Sequence, residues 1–236
     1  MKQYTTLLFD ADNTLLDFDR TEYLAFVQSM SAFDLPISPT NFALYQAINH
    51  ELWSDYEKGK VSRDFVVIER FKRFFNCLGI KLDAEQFEKF YQNNLANGAF
   101  CIPGAKALLS VLRPHFHLYI ITNGVATTQR RRLETTELYT YLDGIFISEE
   151  IGAQKPDKAF FDIVIQKIGH VHPNECLIIG DSLSSDIAGG EYAGIDTCWY
   201  NPKKQSKSTS SIIPSYCITS LSELYPLLGF QNFPTV

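Results

Sequence analysis

In this 236-residue chain, polar clusters follow three short apolar runs: Asp10-Ala11-Asp12-Asn13-Thr14, Thr122-Asn123-Gly124, and Gly180-Asp181 with Asp186 five residues on. A fourth group, Lys155-Pro156, lies further behind its run. Asp10 and Asp12 are two residues apart, so an extended backbone through Ala11 puts both carboxylates on one face. Carboxylates that close repel, and the cluster needs a cation or a shared proton. Asp181, arriving from another strand end, completes a hard oxygen site that suits Mg²⁺, with Mn²⁺ as the alternative. No histidine lies beside these motifs, so zinc fits less well. Opposite the carboxylates, Lys155, the Thr122 hydroxyl and the backbone N–H groups around Ala11-Asp12 and Asn123-Gly124 are donors of the kind that hold a phosphoryl group.

That division of charge predicts a chemistry in two halves. Asp10, ionised and held by the cation and Lys155, can attack phosphorus in line and form an aspartyl phosphate. Asp12 can protonate the leaving alkoxide and then deprotonate the attacking water, a contribution of roughly 10²–10⁴ in rate. Asp186 either orients Lys155, supports the metal from behind its ligands, or is a first-turn helix carboxylate stabilised by the dipole. Each motif alone is weak, because Asp and Asn are common turn formers after strands. All four in this order after apolar strands are a specific signal.

The elements that must position these groups read as a doubly wound parallel α/β sheet. Strands are predicted at 5–9, 116–121, 144–147, 176–179, 197–200 and 212–218. Helices are predicted at about 103–113, with Pro103 in the first turn, and at 125–135, 157–169 and 184–193. A last helix, 221–228, takes Ser220 as its N-cap. In such a sheet the ligand crevice lies outside the carboxyl ends of the strands, where residues far apart in sequence converge.

Residues 17–100 break the alternation: they carry no strand pattern and read as four helices, an inserted helical cap. The domains are therefore 1–16 with 101–236 for the Rossmann-like core and 17–100 for the cap. Phe42, Tyr45, Ile48, Leu52, Trp53 and Tyr56 recur at helical spacing, as do Phe71, Phe74, Phe75 and Leu78. Sixteen of the 32 aromatic residues fall between Phe18 and Phe100, enough to fill a small core and, with Phe18, Tyr23, Trp53 and Tyr56 as candidates, to stack on a flat apolar group. Hinges for a cap that opens and closes are expected near 15–20 and 97–103. Arg130-Arg131-Arg132 reads as a solvated face, and Lys203 to Ser211 as a polar surface loop without a function.

Composition narrows the partners. With 21 Lys+Arg against 27 Asp+Glu the net charge is -6, a poor footprint for a nucleic acid polymer. The start lacks a signal-peptide pattern and no apolar run reaches the ~18 residues of a membrane span, so a cytoplasmic location without membrane association is expected. The five scattered cysteines signal neither disulfides nor a zinc site and are expected to be mostly buried thiols. The predicted partner is a small phosphate ester, and the chain a monomer or homodimer.

The set DADNT at 10–14, ITNG at 121–124, Lys155-Pro156 and GDSLSSD at 180–186, with a helical insertion after the first, resembles the haloacid dehalogenase superfamily, in its branch with an all-helical cap. The resemblance implies Asp10 as nucleophile, Asp12 as general acid/base, Thr122 and Lys155 as phosphate ligands, and Mg²⁺ bound by Asp10, the Asp12 carbonyl and Asp181. Dehalogenases of this pattern lack the acid/base aspartate, so Asp12 favours phosphate chemistry. A phospho-acceptor receiver module also uses an acidic cluster, a Thr and a Lys on a doubly wound sheet, but Asp12 and the long insertion argue against it. The phrases DADNTLLDFD and CWYNP are similar to pyrimidine 5'-nucleotidases of this branch, which implies a phosphatase for nucleoside monophosphates. Phosphoglycolate and sugar phosphates are the alternative substrates, and a phosphomutase like β-phosphoglucomutase the alternative reaction.

Overall fold

The computed structural model describes residues 3–206 and 212–230. Six strands, β1 (Thr6–Phe9), β2 (His117–Thr122), β3 (Gly144–Ile147), β4 (Cys176–Gly180), β5 (Asp196–Tyr200) and β6 (Tyr216–Ile218), form one sheet. Its order is β3-β2-β1-β4-β5-β6 and every pairing is parallel. The helices are α1 (Phe18–Ala32), α2 (Pro39–Glu57), α3 (Arg63–Leu78), α4 (Ala84–Asn97), α5 (Ala105–Leu112), α6 (Ala126–Thr135), α7 (Ser148–Ile151), α8 (Lys158–Ile168), α9 (Ala188–Ala193) and α10 (Leu224–Leu227). By contacts the chain divides into two compact units, one of residues up to Phe18 and from Phe100 onward, the other Asp19–Ala99.

In the first unit, β1 is buried on both faces because alternate residues serve separate cores. Leu7 and Phe9 join Leu118, Ile120, Leu177 and Ile179 against Leu108, Leu109 and Leu112 of α5 and Leu224 of α10. Leu8 joins Ile121 and Ile178 against Phe160, Phe161 and Val164 of α8. The sheet is thus covered on both sides, and its order reverses at β1: the chain runs outward through β2 and β3, then returns to β4 on the other flank of β1. That reversal is the place where open α/β sheets bind ligands.

The second unit is built from α1 to α4, with polar caps where the sequence supplies them. Ser38 caps α2 by accepting from Asn41 N–H, with Pro39 in the first turn; Ser62 caps α3 from Phe65 N–H; Asp83 caps α4. Gly79 ends α3 in the left-handed region at φ 67°, where a Cβ would be strained. Tyr45, Phe71, Phe74, Phe87 and Tyr91 are its buried centre, and Tyr45 and Phe71 stack with centroids 5.3 Å apart. Beneath the rings runs a buried polar chain: Glu22 accepts from Gln46 and Asn49, Asn49 accepts from Arg70, and Arg70 pairs with Glu88 at 2.9 Å. Burial pushes the Glu22 and Glu88 carboxyls above their ordinary values.

Several expectations need correction. The helix predicted from Pro103 starts at Ala105, because Gly104, at φ 82°, turns the chain and leaves Pro103 in the turn before it. The helix predicted at 184–193 opens as a π-turn over Leu183–Ile187 before α9. The strand predicted at 212–218 shrinks to Tyr216–Ile218, since Pro214 has no N–H to give a ladder. Only Cys176 and Cys198 are buried, while Cys77 and Cys217 are exposed and Cys101 lies between. Of the polar stretch 203–211, residues 207–211 lie outside the described residues. Tyr56 is buried and meets Trp53 edge-on at 5.5 Å, Tyr23 is exposed, and Phe18 lies under a guanidinium described below. Among the described residues, no helix is long and apolar enough to cross a membrane.

Candidate active site

The polar groups singled out by the sequence gather at the carboxyl ends of three neighbouring strands. Asp10 follows β1 and extends its ladder, its N–H donating to Ile179 carbonyl at 2.8 Å. Thr122 is the last residue of β2, and Asp181 follows β4. Lys155 comes from the loop after α7, and Asn123 pins that loop. Its side-chain oxygen accepts from Lys155 N–H at 3.0 Å and its amide donates to the Lys155 carbonyl at 2.9 Å. Asn123, predicted among the phosphate ligands, thus spends its side chain on the backbone of Lys155.

Lys155 is 1% exposed, and its ammonium meets three acceptors for three donors: Asp10 Oδ1 and Asp186 Oδ1 at 2.6 Å each and the Ile121 carbonyl at 3.0 Å. Burial alone would weaken its hold on the proton, but the two carboxylates more than reverse this and keep it charged. Asp186 is therefore no simple helix-turn carboxylate: its Oδ1 holds Lys155 and its Oδ2 accepts from Ser182 N–H at 3.1 Å. This fit depends on Gly180, where an added Cβ would come 2.2 Å from Asp186 Oδ2.

One oxygen from each of Asp10, Asp181 and Asp186 lies within 4.8 Å of the others. Three carboxylates share one ammonium here, an excess of negative charge that shows in their proton affinities. Asp10 is pushed up to about 7, mainly by burial and then by Asp186 and Asp12, with Lys155 opposing. Asp181 is pushed well up by burial and by the Asp10 and Asp186 charges. A hard divalent cation would relieve this excess, and the donor set, all oxygen, is the kind Mg²⁺ and Mn²⁺ prefer. The residues present fit the metal that the motifs imply.

On the other side of Asp10, the N–H groups of Ala11, Asp12 and Asn123 find no acceptor among the described residues, whereas Gly124 N–H donates to Thr122 Oγ1 at 3.1 Å. The Thr122 hydroxyl accepts from Gly124 and from Gln129 Nε2 at 3.0 Å, which leaves its hydrogen to give. Of the expected donors, the Gly124 N–H is thus spent on Thr122, while the Thr122 hydroxyl keeps its hydrogen to give.

Two residues at this site escaped the sequence reading. Asp12 Oδ1 accepts from Arg132 Nη1 and Asp12 Oδ2 from Gln129 Nε2, both at 2.5 Å. The solvated face expected of Arg130-Arg131-Arg132 holds for Arg130, which pairs with exposed Glu150, and for exposed Arg131, but not for Arg132, which is 1% exposed. The reason is helical geometry: Ala126, Gln129 and Leu133 mark the buried face of α6, and Arg132 flanks it. That spacing is the signal that could have found both residues.

A parallel sheet covered by helices, with carboxylates and a buried lysine at its switch point, defines a doubly wound α/β protein with a helical insertion. The chain belongs to the haloacid dehalogenase-like hydrolases, whose family model matches residues 4–194. It is 43% identical to the HAD-hydrolase YfnB of Bacillus subtilis over 232 residues, 98% of each chain. It is 38% identical to the pyrimidine 5'-nucleotidase PynA of Streptococcus pneumoniae, over 95% of each, and 34% to the pyrimidine 5'-nucleotidase YjjG of Escherichia coli, over 94% of this chain and 96% of that one. The crystal structure of YfnB bound to magnesium superposes with a TM-score of 0.92, covering 97% of this chain and all of the other.

Proposed function

We propose that the chain hydrolyses phosphate monoesters of pyrimidine nucleosides through an aspartyl phosphate on Asp10. The observation that carries the reading is the pairing of two carboxylates at one strand end with different partners. Asp10 is held by a buried ammonium beside an acidic trio, and Asp12 is turned away from that trio onto Arg132 and Gln129. In this reading the first attacks and the second moves a proton. The full-length similarity to two pyrimidine 5'-nucleotidases supports the substrate class. The magnesium held by YfnB supports the metal, which Asp10, Asp181 and the Asp12 carbonyl would ligate with Asp186 behind them. When bound, Mg²⁺ would supply positive charge to the phosphate oxygens and to the carboxylates around it.

The chain's own groups do the rest. Thr122 Oγ and the N–H groups of Ala11 and Asp12 hold the equatorial phosphate oxygens, and Lys155, its three donors already engaged, adds its positive charge beside them. An Asp10 oxygen bonds to phosphorus as the phosphorus–O5' bond breaks, and the leaving oxygen takes the proton of Asp12, releasing the nucleoside. Water then bonds to phosphorus and gives a proton to Asp12 while the Asp10–phosphorus bond breaks, releasing inorganic phosphate. Both carboxyls end as they began.

The test is phosphate release from UMP, dUMP, dTMP, purine and sugar phosphates, phosphoglycolate and p-nitrophenyl phosphate, with Mg²⁺ and with EDTA. The expected result is metal-dependent turnover highest on the pyrimidine nucleotides and absent in Asp10→Asn. Chelator-resistant turnover, or Asp10→Asn activity within about tenfold of the parent, would overturn the mechanism. A preference for sugar phosphates would overturn the substrate class alone.

A further inference from the structure

Asp12 is gripped by two residues for which the proposed mechanism has no other use. Gln129 and Arg132 lie three apart on α6 and face the same way. Both are 1% exposed, an environment in which a guanidinium needs a partner. Each takes one Asp12 oxygen, and they bond to each other, Arg132 Nη1 donating to Gln129 Oε1 at 3.1 Å. The Gln129 amide also reaches Thr122 Oγ1, so one side chain ties the proton-transfer carboxyl to the hydroxyl placed for phosphate. The backbone makes room for it: a Cβ at Gly124 would lie 2.4 Å from Gln129 Nε2. The Arg132 guanidinium also sits over the Phe18 ring at 5.6 Å. A carboxylate has about four acceptor sites, so two such bonds fix its plane and leave a site on each oxygen for a substrate atom.

We propose that Gln129 and Arg132 are positioning residues for Asp12: they fix the plane of its carboxyl relative to Thr122, so that its proton lies on the path of the departing oxygen. This rests on the acid/base reading of Asp12, and the experiment separates the two. Proton donation matters for an alkoxide such as the nucleoside O5' and little for p-nitrophenolate, which leaves unaided. A defect confined to proton transfer is therefore seen in the ratio of kcat/KM on UMP to kcat/KM on p-nitrophenyl phosphate, a quantity that general loosening of the fold does not move.

Arg132→Met, Gln129→Met and Arg132→Lys would be measured with both substrates beside Asp12→Asn. Asp12→Asn is expected to lower the ratio by about 10²-fold or more. Arg132→Met and Gln129→Met should each lower it by about 10-fold to 10²-fold. Arg132→Lys should fall between Arg132→Met and the parent, because a point charge restores one bond without the planar fork. If Asp12→Asn lowers the ratio and the Met variants lose activity equally on both substrates, the clamp is structural only and the proposal fails. If Asp12→Asn leaves the ratio unchanged, the acid/base reading fails first. Should Arg132→Met not fold, Gln129→Met and Arg132→Lys carry the same test with smaller changes in the core, and an unchanged ratio in both overturns the proposal.

Discussion

Replacing Lys155 by Met removes the ammonium that touches both Asp10 and Asp186 and keeps an unbranched side chain of similar length in the buried space. Removing one partner from a buried, hydrogen-bonded charge cluster costs about 3–5 kcal/mol. Here the cost depends on pH, and the sign follows from Asp10. Its proton affinity is raised in the folded chain, to about 7, so its favourable contribution is present at low pH and is lost as pH rises through that value. Lys155 opposes this rise, so without it the folded value moves higher still. The Asp10 share of the parent's fall in stability should end above about pH 7, whereas in the variant it should go on by about 1.4 kcal/mol per pH unit. The gap between them is therefore smallest near pH 6 and widens by about 2 kcal/mol between pH 7 and 8.5.

Urea unfolding in EDTA measures this directly. The chain has two tryptophans, and Trp199, buried in β5 with its indole N–H on the Asp181 carbonyl, reports on the site. A Trp53→Phe background isolates its fluorescence. A stability gap that is constant between pH 6 and 8.5, or below about 1 kcal/mol at pH 8.5, would refute the assignment of Lys155 as the counter-charge to Asp10. Excess Mg²⁺ at pH 8.5 should recover part of the loss, since a cation among the carboxylates replaces the missing charge.

Gly180→Ala places a methyl group 2.2 Å from Asp186 Oδ2 and should displace that carboxyl from Lys155. Turnover should fall on the order of 10²-fold, with about 1–3 kcal/mol of stability lost, as read by phosphate release and urea unfolding. In the helical unit, Arg70→Met strands the buried Glu88 and should cost about 3–5 kcal/mol, while Arg70→Met with Glu88→Leu should recover most of it. Trp53 fluorescence reads both, and a double variant no more stable than the single one would contradict the pairing. Mg²⁺ binding followed by calorimetry should weaken below about pH 7, by up to tenfold per pH unit, as the proton on Asp10 competes with the metal.

Much of the sheet was legible because parallel strands buried on both faces are written as apolar runs: Leu7-Leu8-Phe9 and Leu177-Ile178-Ile179 can be little else. The carboxylates were legible for a related reason, since polar residues that end such runs must sit at the strand ends. What could not be read was pairing. Only its spacing from Ala126, Gln129 and Leu133 separates Arg132 from Arg130 and Arg131, and that spacing puts it beside the buried face of α6 without naming Asp12 as its partner. Asn123 reads as a backbone donor toward phosphate, and nothing beside it marks the cross-connection that its side chain makes to the Lys155 backbone 32 residues away. Gly180 stands in the sequence simply as the residue before Asp181, while its constraint in the fold is the Asp186 carboxyl six residues later.

The chain leaves and re-enters the sheet unit through a pair of antiparallel contacts: Leu16 bridges Cys101, Asp17 N–H donates to the Phe100 carbonyl and Ile102 N–H to the Leu15 carbonyl. The two connecting segments therefore lie one strand spacing apart, about 4.8 Å. In chain order, Asp19 to Ala99 stand where a hairpin's turn residues would stand between these two segments. Lengthening or replacing such a turn changes closure entropy only logarithmically. The closure of the sheet unit's chain is thus nearly indifferent to how many residues are inserted between these two segments.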